Sequence, residues 1–493
     1  MTSIAGRALS TRSSSLRRAG KRSGLALFAF TARSLQQAST LVMTLLAGHF
    51  MLPEQYGIYS LGIVFIILVQ TLTYTGFYQF ILTSKEDDAA VLSTCFWLIF
   101  GLVSAASVLL ALAAYPLEWA FDAKELGMVL ILLAAVQPLA SIGAWSSAVL
   151  LRRKALMTNF SIMFVQNLIA LIGGAVLLWY WHSLYALVAF RYLRVVSGAV
   201  LYALFARDWP RFRFQKQLAM QATSFSGGLY GSRFLGFLSR YAADLLLGLL
   251  YTAHEVGLYR FGNRVATGAT DTLTQPMSNF AATQFGAAAR QDRDLAASLT
   301  RFSGTVTLLA GIVGAVIVVL AGDVISLFFQ PSYMAALVVT YAMALRGVAG
   351  IGQLLIEPAF AALGRTGYVM LFNLLAAVIS VAAIVIATPF GLEILAWTQV
   401  AAVLATTGWA FYLLRKRGGI AVSGAIRNFF IALLLAVNYG LLLFALHHWA
   451  LPLLGLSTGA ALTAGLGIAA FLSVLFLGLG AYLKVFDLQA FAG

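Results

Sequence analysis

Runs of about 20 apolar residues follow one another along nearly the whole chain, separated by short polar breaks. A hydrocarbon core about 30 Å thick is crossed by roughly 20 helical residues, so the pattern predicts a polytopic membrane protein. Fourteen spans are expected, at about 25–50, 56–82, 90–115, 126–151, 158–181, 183–206, 220–251, 257–283, 299–329, 333–363, 368–388, 393–414, 427–446 and 456–482. The expected fold class is all-α: about 14 transmembrane helices, as two pseudo-symmetric six-helix lobes (25–206 and 220–414) plus two C-terminal helices (427–482), behind a basic tail (1–24). Spans longer than the bilayer needs must tilt, kink or project into water.

An internal repeat supports the two lobes. Residues 45–62 read LLAGHFMLPEQYGIYSLG and residues 245–262 read LLLGLLYTAHEVGLYRFG. At a constant offset of 200, Leu45, Leu46, Gly48, Gly57, Tyr59 and Gly62 match Leu245, Leu246, Gly248, Gly257, Tyr259 and Gly262, and Arg33 falls opposite Arg233. Both copies run in the same direction across the membrane, which predicts a parallel repeat about an axis along the membrane normal.

Polar positions inside the spans are few and aligned. At about 100° per residue, the spacings of 7 and 11 bring Arg233, Arg240 and Asp244 onto one face, and spacings of 4 and 11 do the same for Arg260, Arg264 and Asp271. Arg346, Gln353 and Glu357 form a third stripe, and Arg33 with Gln37, Thr40 and Thr44 a fourth. Arg191 and Arg194 share a face at a spacing of 3. At about 1.5 Å per residue, Arg191, Arg194, Arg240, Arg264 and Arg346 lie roughly 10–20 Å below the outer surface. Arg33 and Arg233 are placed nearer the inner face and Arg260 nearer the outer one, where snorkelling to headgroups is an alternative. An arginine at mid-bilayer costs roughly 2.5–3.5 kcal/mol even on a lenient insertion scale, so such stripes should face partner helices or a cavity. Three span carboxylates (Asp244, Asp271, Glu357) are too few to neutralise these cations, although a pair such as Arg240 with Asp244 is the plain structural alternative. A net positive cavity that holds an anion is therefore expected, with those carboxylates as the candidates if transport is driven by an H+ or Na+ gradient.

With 61% hydrophobic and 10% charged residues, the chain is no ordinary soluble domain, and its formal charge of +15 has to be located before it can be interpreted. Counted from a cytoplasmic tail, the even loops and their borders collect Arg152, Arg153, Lys154, Arg211, Arg213, Lys216, Arg290, Arg301, Arg365, Arg415, Lys416 and Arg417. The odd loops carry only Lys124. This positive-inside bias predicts both termini in the cytoplasm and removes any need for a nucleic-acid partner. The single Cys95 lies in an apolar run and His447–His448 are adjacent rather than four apart, so neither a metal nor another cofactor is expected. No phosphate-cradling loop, HExxH helix or catalytic triad is present in the sequence, and a transporter is expected rather than an enzyme.

The first-turn sequence MLPEQYGIYSLG, its echo HEVGLYRFGNR and the fourteen spans resemble the polysaccharide transporter (Wzx-type) family of the multidrug/oligosaccharidyl-lipid/polysaccharide exporter superfamily, over most of the chain. The resemblance implies two six-helix lobes in a V around a central cavity, working by alternating access in the bacterial inner membrane. The implied substrate is an undecaprenyl-diphosphate-linked oligosaccharide (an O-antigen, capsule or exopolysaccharide repeat unit), moved from the inner to the outer leaflet alongside membrane lipid. The implied partners are a polysaccharide polymerase and glycosyltransferases. Guanidinium groups suit a diphosphate, and Gln36, Gln37, Gln70, Gln79, Gln137, Gln166 and Asn167 are candidate sugar contacts or inter-helix hydrogen bonds. A drug or ion exporter of the same superfamily, a lipid II flippase, and a membrane glycosyl ligase or polymerase are the alternatives.

Overall fold

Among the described residues the protein is built of fourteen helical rods, and every one follows an apolar run expected to span. The computed structural model describes residue 32 and residues 35–84, 88–206, 209–290, 294–365 and 367–487; the expected basic tail 1–24 and Arg33 lie outside the described residues. The rods are α1 (35–50), α2 (Pro53–Thr73, continued by Thr75–Thr83), α3 (Asp88–Leu112), α4 (Leu126–Ala135 and Gln137–Arg152), α5 (Leu156–Trp181), α6 (Leu184–Ala206) and α7 (Lys216–Leu250). They continue with α8 (Ala253–Arg290), α9 (Leu295–Phe328), α10 (Leu337–Ala349 and Ile351–Ala362), α11 (Gly367–Ala387), α12 (Leu392–Lys416), α13 (Ser423–Ala445) and α14 (Thr458–Tyr482). No strand occurs among the described residues.

Ten helices are long and apolar enough to cross a membrane, or eleven with the bent α4 counted as one span. Standing outside that group are α1, α7 and α8. The last two carry charges within their spans, and these same helices wall the central cavity. At 35 and 38 residues, α7 and α8 are also far longer than a bilayer requires, so they tilt or project beyond it.

The offset of 200 that relates the two sequence copies also relates contacts between them in space. A Cβ placed on Gly57 would lie 1.8 Å from the Ala253 carbonyl oxygen, and one on Gly257 would lie 1.8 Å from the Pro53 carbonyl oxygen. The offset of 200 exchanges these two contacts. It also exchanges a second set: Gly48 of α1 packs against Phe261 of α8, and Gly248 of α7 against Leu61 of α2. Backbones approach this closely only where a residue without a side chain stands at the crossing. The α1–α2 and α7–α8 turns are thereby locked together.

Three rods are broken, each for a local reason. In α4 the two halves meet at 41° just before Pro138, which lacks an N–H and crowds the carbonyl four residues back. Buried Gln137 repairs the bend: its amide donates to the Leu133 carbonyl at 3.0 Å and accepts from Gln70 of α2 at 2.9 Å. In α2 the break falls at Tyr74, and in α10 at Gly350. There α12 supplies hydroxyl partners, Thr407 donating to the Ala349 carbonyl at 2.6 Å and Thr406 accepting from Gln353 at 2.7 Å. The final pair, α13 and α14, packs on α9, and His447 lies buried beyond α13 with Nε2 2.6 Å from Asp323 Oδ2 of α9.

Candidate substrate cavity

Between the two halves of the repeat lies a cavity of about 870 Å³. The predicted stripes converge on it from five helices: Gln37, Thr40 and Thr44 from α1, Arg191 and Arg194 from α6, Arg240 from α7, Arg260 and Arg264 from α8, and Arg346, Gln353 and Glu357 from α10. Local structure explains the aim of several of them. The break of α10 at Gly350 separates Arg346 from Gln353, and the α12 hydroxyls that anchor the broken ends keep both halves facing inward. Arg264 is held by α1, donating through Nη2 to the Gln37 side-chain oxygen at 3.3 Å and to its backbone carbonyl at 3.4 Å.

Six arginines line the cavity against one lining carboxylate, Glu357, among the described residues. Their N–H groups are far from saturated. Arg191 Nε and Arg264 Nε are buried without a hydrogen-bond acceptor. Arg346 has a weak contact from Nη1 to Met343 Sδ at 3.6 Å. Among the described residues, Arg260 is the one lining arginine in an ion pair, with Nε 2.8 Å from Asp244 Oδ1. Each unsatisfied buried donor is a standing demand for an acceptor.

Not every expected residue is placed there. Arg233 is exposed and outside the lining, two helical turns from Arg240. Asp244 is fully buried behind the wall; it pairs with Arg260 of the neighbouring helix and not with Arg240 of its own stripe. The Asp271 side chain and all of Arg33 lie outside the described residues. Of the amides considered as sugar contacts, Gln36, Gln37 and Gln70 line the cavity; Gln79, Gln137, Gln166 and Asn167 do not. Gln70 and Gln137 bond to each other between helices, and Asn167 donates to the Met163 carbonyl within its own helix at 2.6 Å.

Tyr56, Tyr59, Ser60, Asn263 and Thr267, which are not among the expected site residues, also line the cavity. Asn263 and Thr267 sit on the Arg260–Arg264 stripe at spacings of 3 and 7, and a search for polar rather than charged positions finds them. The tyrosines carry no such signal, because an aromatic on an apolar helix reads as core.

A family model described as polysaccharide biosynthesis protein matches residues 46–338. No curated protein sequence matches the chain. Among solved structures, the fold is similar to the lipid II flippase MurJ in an inward closed conformation, with a TM-score of 0.72 and 12% identity over 92% of this chain and 98% of that one. It is also similar to an inward-facing multidrug resistance MATE family transporter of the MOP superfamily, with a TM-score of 0.65 and 14% identity over 78% of this chain and 94% of that one. A Vibrio cholerae MATE transporter follows at a TM-score of 0.54 and 16% identity, over 79% and 94% of the respective chains. At these identities the likeness is one of fold.

Proposed function

The chain belongs to the polysaccharide biosynthesis protein family, and on that premise we propose that it is a flippase for a lipid-diphosphate-linked oligosaccharide. The observation that carries this is the arginine lining of the inter-lobe cavity, six guanidinium groups with a single described carboxylate among them. A diphosphate cannot cross hydrocarbon bare, and a guanidinium offers it a planar pair of donors. Gln36, Gln37, Gln70, Asn263 and Gln353 face the same space and suit sugar hydroxyls. The polyprenyl tail stays in the bilayer, beside the exposed apolar faces of the helices. A cationic drug would meet six like charges in this cavity, which disfavours the drug-exporter alternative. The proposed mode of action is that of a carrier, by alternating access of the cavity to the two faces.

The proposed setting is the bacterial inner membrane, with both termini in the cytoplasm, glycosyltransferases supplying the substrate inside and a polymerase consuming it outside. The locked α1–α2 and α7–α8 turns then form the outer closure. An H+ or Na+ gradient is the proposed driving force, with Asp244, Asp271 and Glu357 as the carboxylates through which it would act.

Purified protein in liposomes should move a fluorescent polyprenyl-diphosphate oligosaccharide between leaflets, read as the fraction that becomes accessible to an impermeant quencher. Flipping of the labelled oligosaccharide no faster than in protein-free liposomes, by protein that remains folded, would overturn the assignment. Orientation is read separately, in a background where Cys95 is replaced by serine. Exposed positions Lys124→Cys and Leu453→Cys should react with an impermeant thiol reagent in intact cells, while Arg153→Cys and Arg415→Cys should not. The reverse pattern inverts the topology.

A further inference from the structure

Among the described residues, Asp244 is the carboxylate that pairs with a cavity-lining arginine. It is fully buried, yet it stands directly behind Arg260, whose side chain is 18% exposed toward the cavity while that of Asp244 is 1% exposed. The two belong to α7 and α8, joined by the turn that the Gly57 and Gly257 contacts lock. Arg260 Nε is 2.8 Å from Asp244 Oδ1, but neither carboxylate oxygen accepts an aligned hydrogen bond. The contact is therefore Coulombic, without the two directed N–H···O bonds of a fork. The guanidinium carbon also lies 5.1 Å from the centre of the Tyr241 ring, so one face of the group is taken by the aromatic wall. Its Nη edge makes no directed hydrogen bond to Asp244.

We propose that Asp244 is a built-in rival of the substrate's diphosphate for Arg260, and that this pair sets how readily the anion is released. The inference rests on the cavity being a diphosphate site. A carrier has to let its cargo go, and six undiluted cations around a multiply charged anion oppose release. Asp244 counters that in two ways of the same sign. Before binding it already satisfies Arg260, so the incoming phosphate displaces an existing attraction. After Arg260 turns to the phosphate, Asp244 is left in a dry wall with its charge less well compensated, which raises the energy of the loaded state. When the anion leaves, Arg260 falls back onto Asp244. The charged group nearest the pair is Arg346, with Tyr241, Tyr259 and Tyr56 beside it; Arg346 attracts Asp244 in both states, so the difference between states comes from Arg260.

The alternative is a positioning role, in which Asp244 holds Arg260 in the right rotamer for the phosphate, and the two roles predict opposite signs. The full chain in lipid nanodiscs would be titrated with inorganic diphosphate and, separately, with a polyprenyl diphosphate, for wild type, Asp244→Asn, Arg260→Gln and the double variant. A rival predicts that Asp244→Asn binds both probes about 5- to 10-fold more tightly, while export of glycan in cells falls because release slows. It predicts that Arg260→Gln binds more weakly and that the double variant matches Arg260→Gln, since the aspartate acts through that arginine. Weaker binding by Asp244→Asn overturns the proposal in favour of positioning, and unchanged binding overturns it outright. Tighter binding that persists in the Arg260→Gln background also overturns it, because the aspartate would then act on the cavity as a whole. Tightening for the polyprenyl probe alone does the same, since the effect would not be at the diphosphate. If Asp244→Asn does not accumulate, Asp244→Ser is read by the same criteria. A wild type that binds neither probe removes the diphosphate reading itself, and that result differs from a wild type that binds while Asp244→Asn does not tighten.

Discussion

Export of the lipid-linked glycan should fall in the order Arg > Lys > Ala > Glu when Arg240 or Arg264 is varied, with glutamate abolishing it. Both side chains line the cavity and, among the described residues, neither has an ion pair. Alanine removes a charge-assisted contact worth about 1.5–3 kcal/mol, a loss of roughly 10- to 100-fold in affinity. Lysine keeps the charge but loses the planar fork, and so retains part of the function. Glutamate repels phosphate, and at Arg264 it also faces the Gln37 side-chain and backbone oxygens that now accept from the guanidinium. A purely structural role gives a different order, in which any replacement harms folding and lysine brings no special recovery. Export from cells is compared with the amount of each variant in the membrane, so that misfolding is not counted as lost binding. Normal export by well-expressed Arg240→Glu and Arg264→Glu proteins would leave the cationic cavity without a role in transport.

The helices and their stripes were legible because both follow from periodicity. Apolar runs of bilayer length show where the rods lie, and 100° per residue shows which polar groups share a face. Arg191, Arg194, Arg240, Arg260, Arg264 and Arg346 converge on one space because a charge in a span has few other tolerable places to point. Which neighbour each stripe meets was not legible. Arg240 and Asp244, four apart on α7, are placed on one face by the helix alone, yet the aspartate pairs with Arg260. That outcome depends on the rotation of α7 against α8 and on the depth at which they cross, and neither quantity is written in one helix. The breaks divide in the same way. Pro138 marks the bend of α4 in the sequence, whereas the opening at Gly350 depends on hydroxyls that α12 brings from more than 50 residues away.

Replacing Gly57 or Gly257 with alanine should hold the α1–α2 and α7–α8 turns apart and reduce transport by at least about tenfold in a protein that still folds. The new methyl at Gly57 falls 1.8 Å from the Ala253 carbonyl oxygen and 2.8 Å from the Gly257 nitrogen; at Gly257 it falls 1.8 Å from the Pro53 carbonyl oxygen. Each obstacle is backbone within or beside a helix, so no side chain can swing aside, and the rods themselves have to separate by an ångström or more. Tyr56 shares the strain, since its hydroxyl lies 3.1 Å from Thr44 Oγ1 across the α1–α2 junction. A flippase that alternates has to seal this end during half of its cycle, so a wedge here acts on the cycle and not on the binding groups. Diphosphate affinity should therefore stay within about twofold of wild type while flipping falls, the opposite split from that expected of the arginine variants. A direct probe is Thr40→Cys, a cavity position, in the Cys95→Ser background. In Gly57→Ala and Gly257→Ala it should become reactive to an impermeant thiol reagent from the side on which these turns lie, and Gly48→Ala, wedged against the Phe261 ring at 2.6 Å, should do so less because a side chain can yield where a carbonyl cannot. Unaltered flipping in both turn variants, with Thr40→Cys still protected from that side, would mean that the reciprocal glycine contact is not the seal.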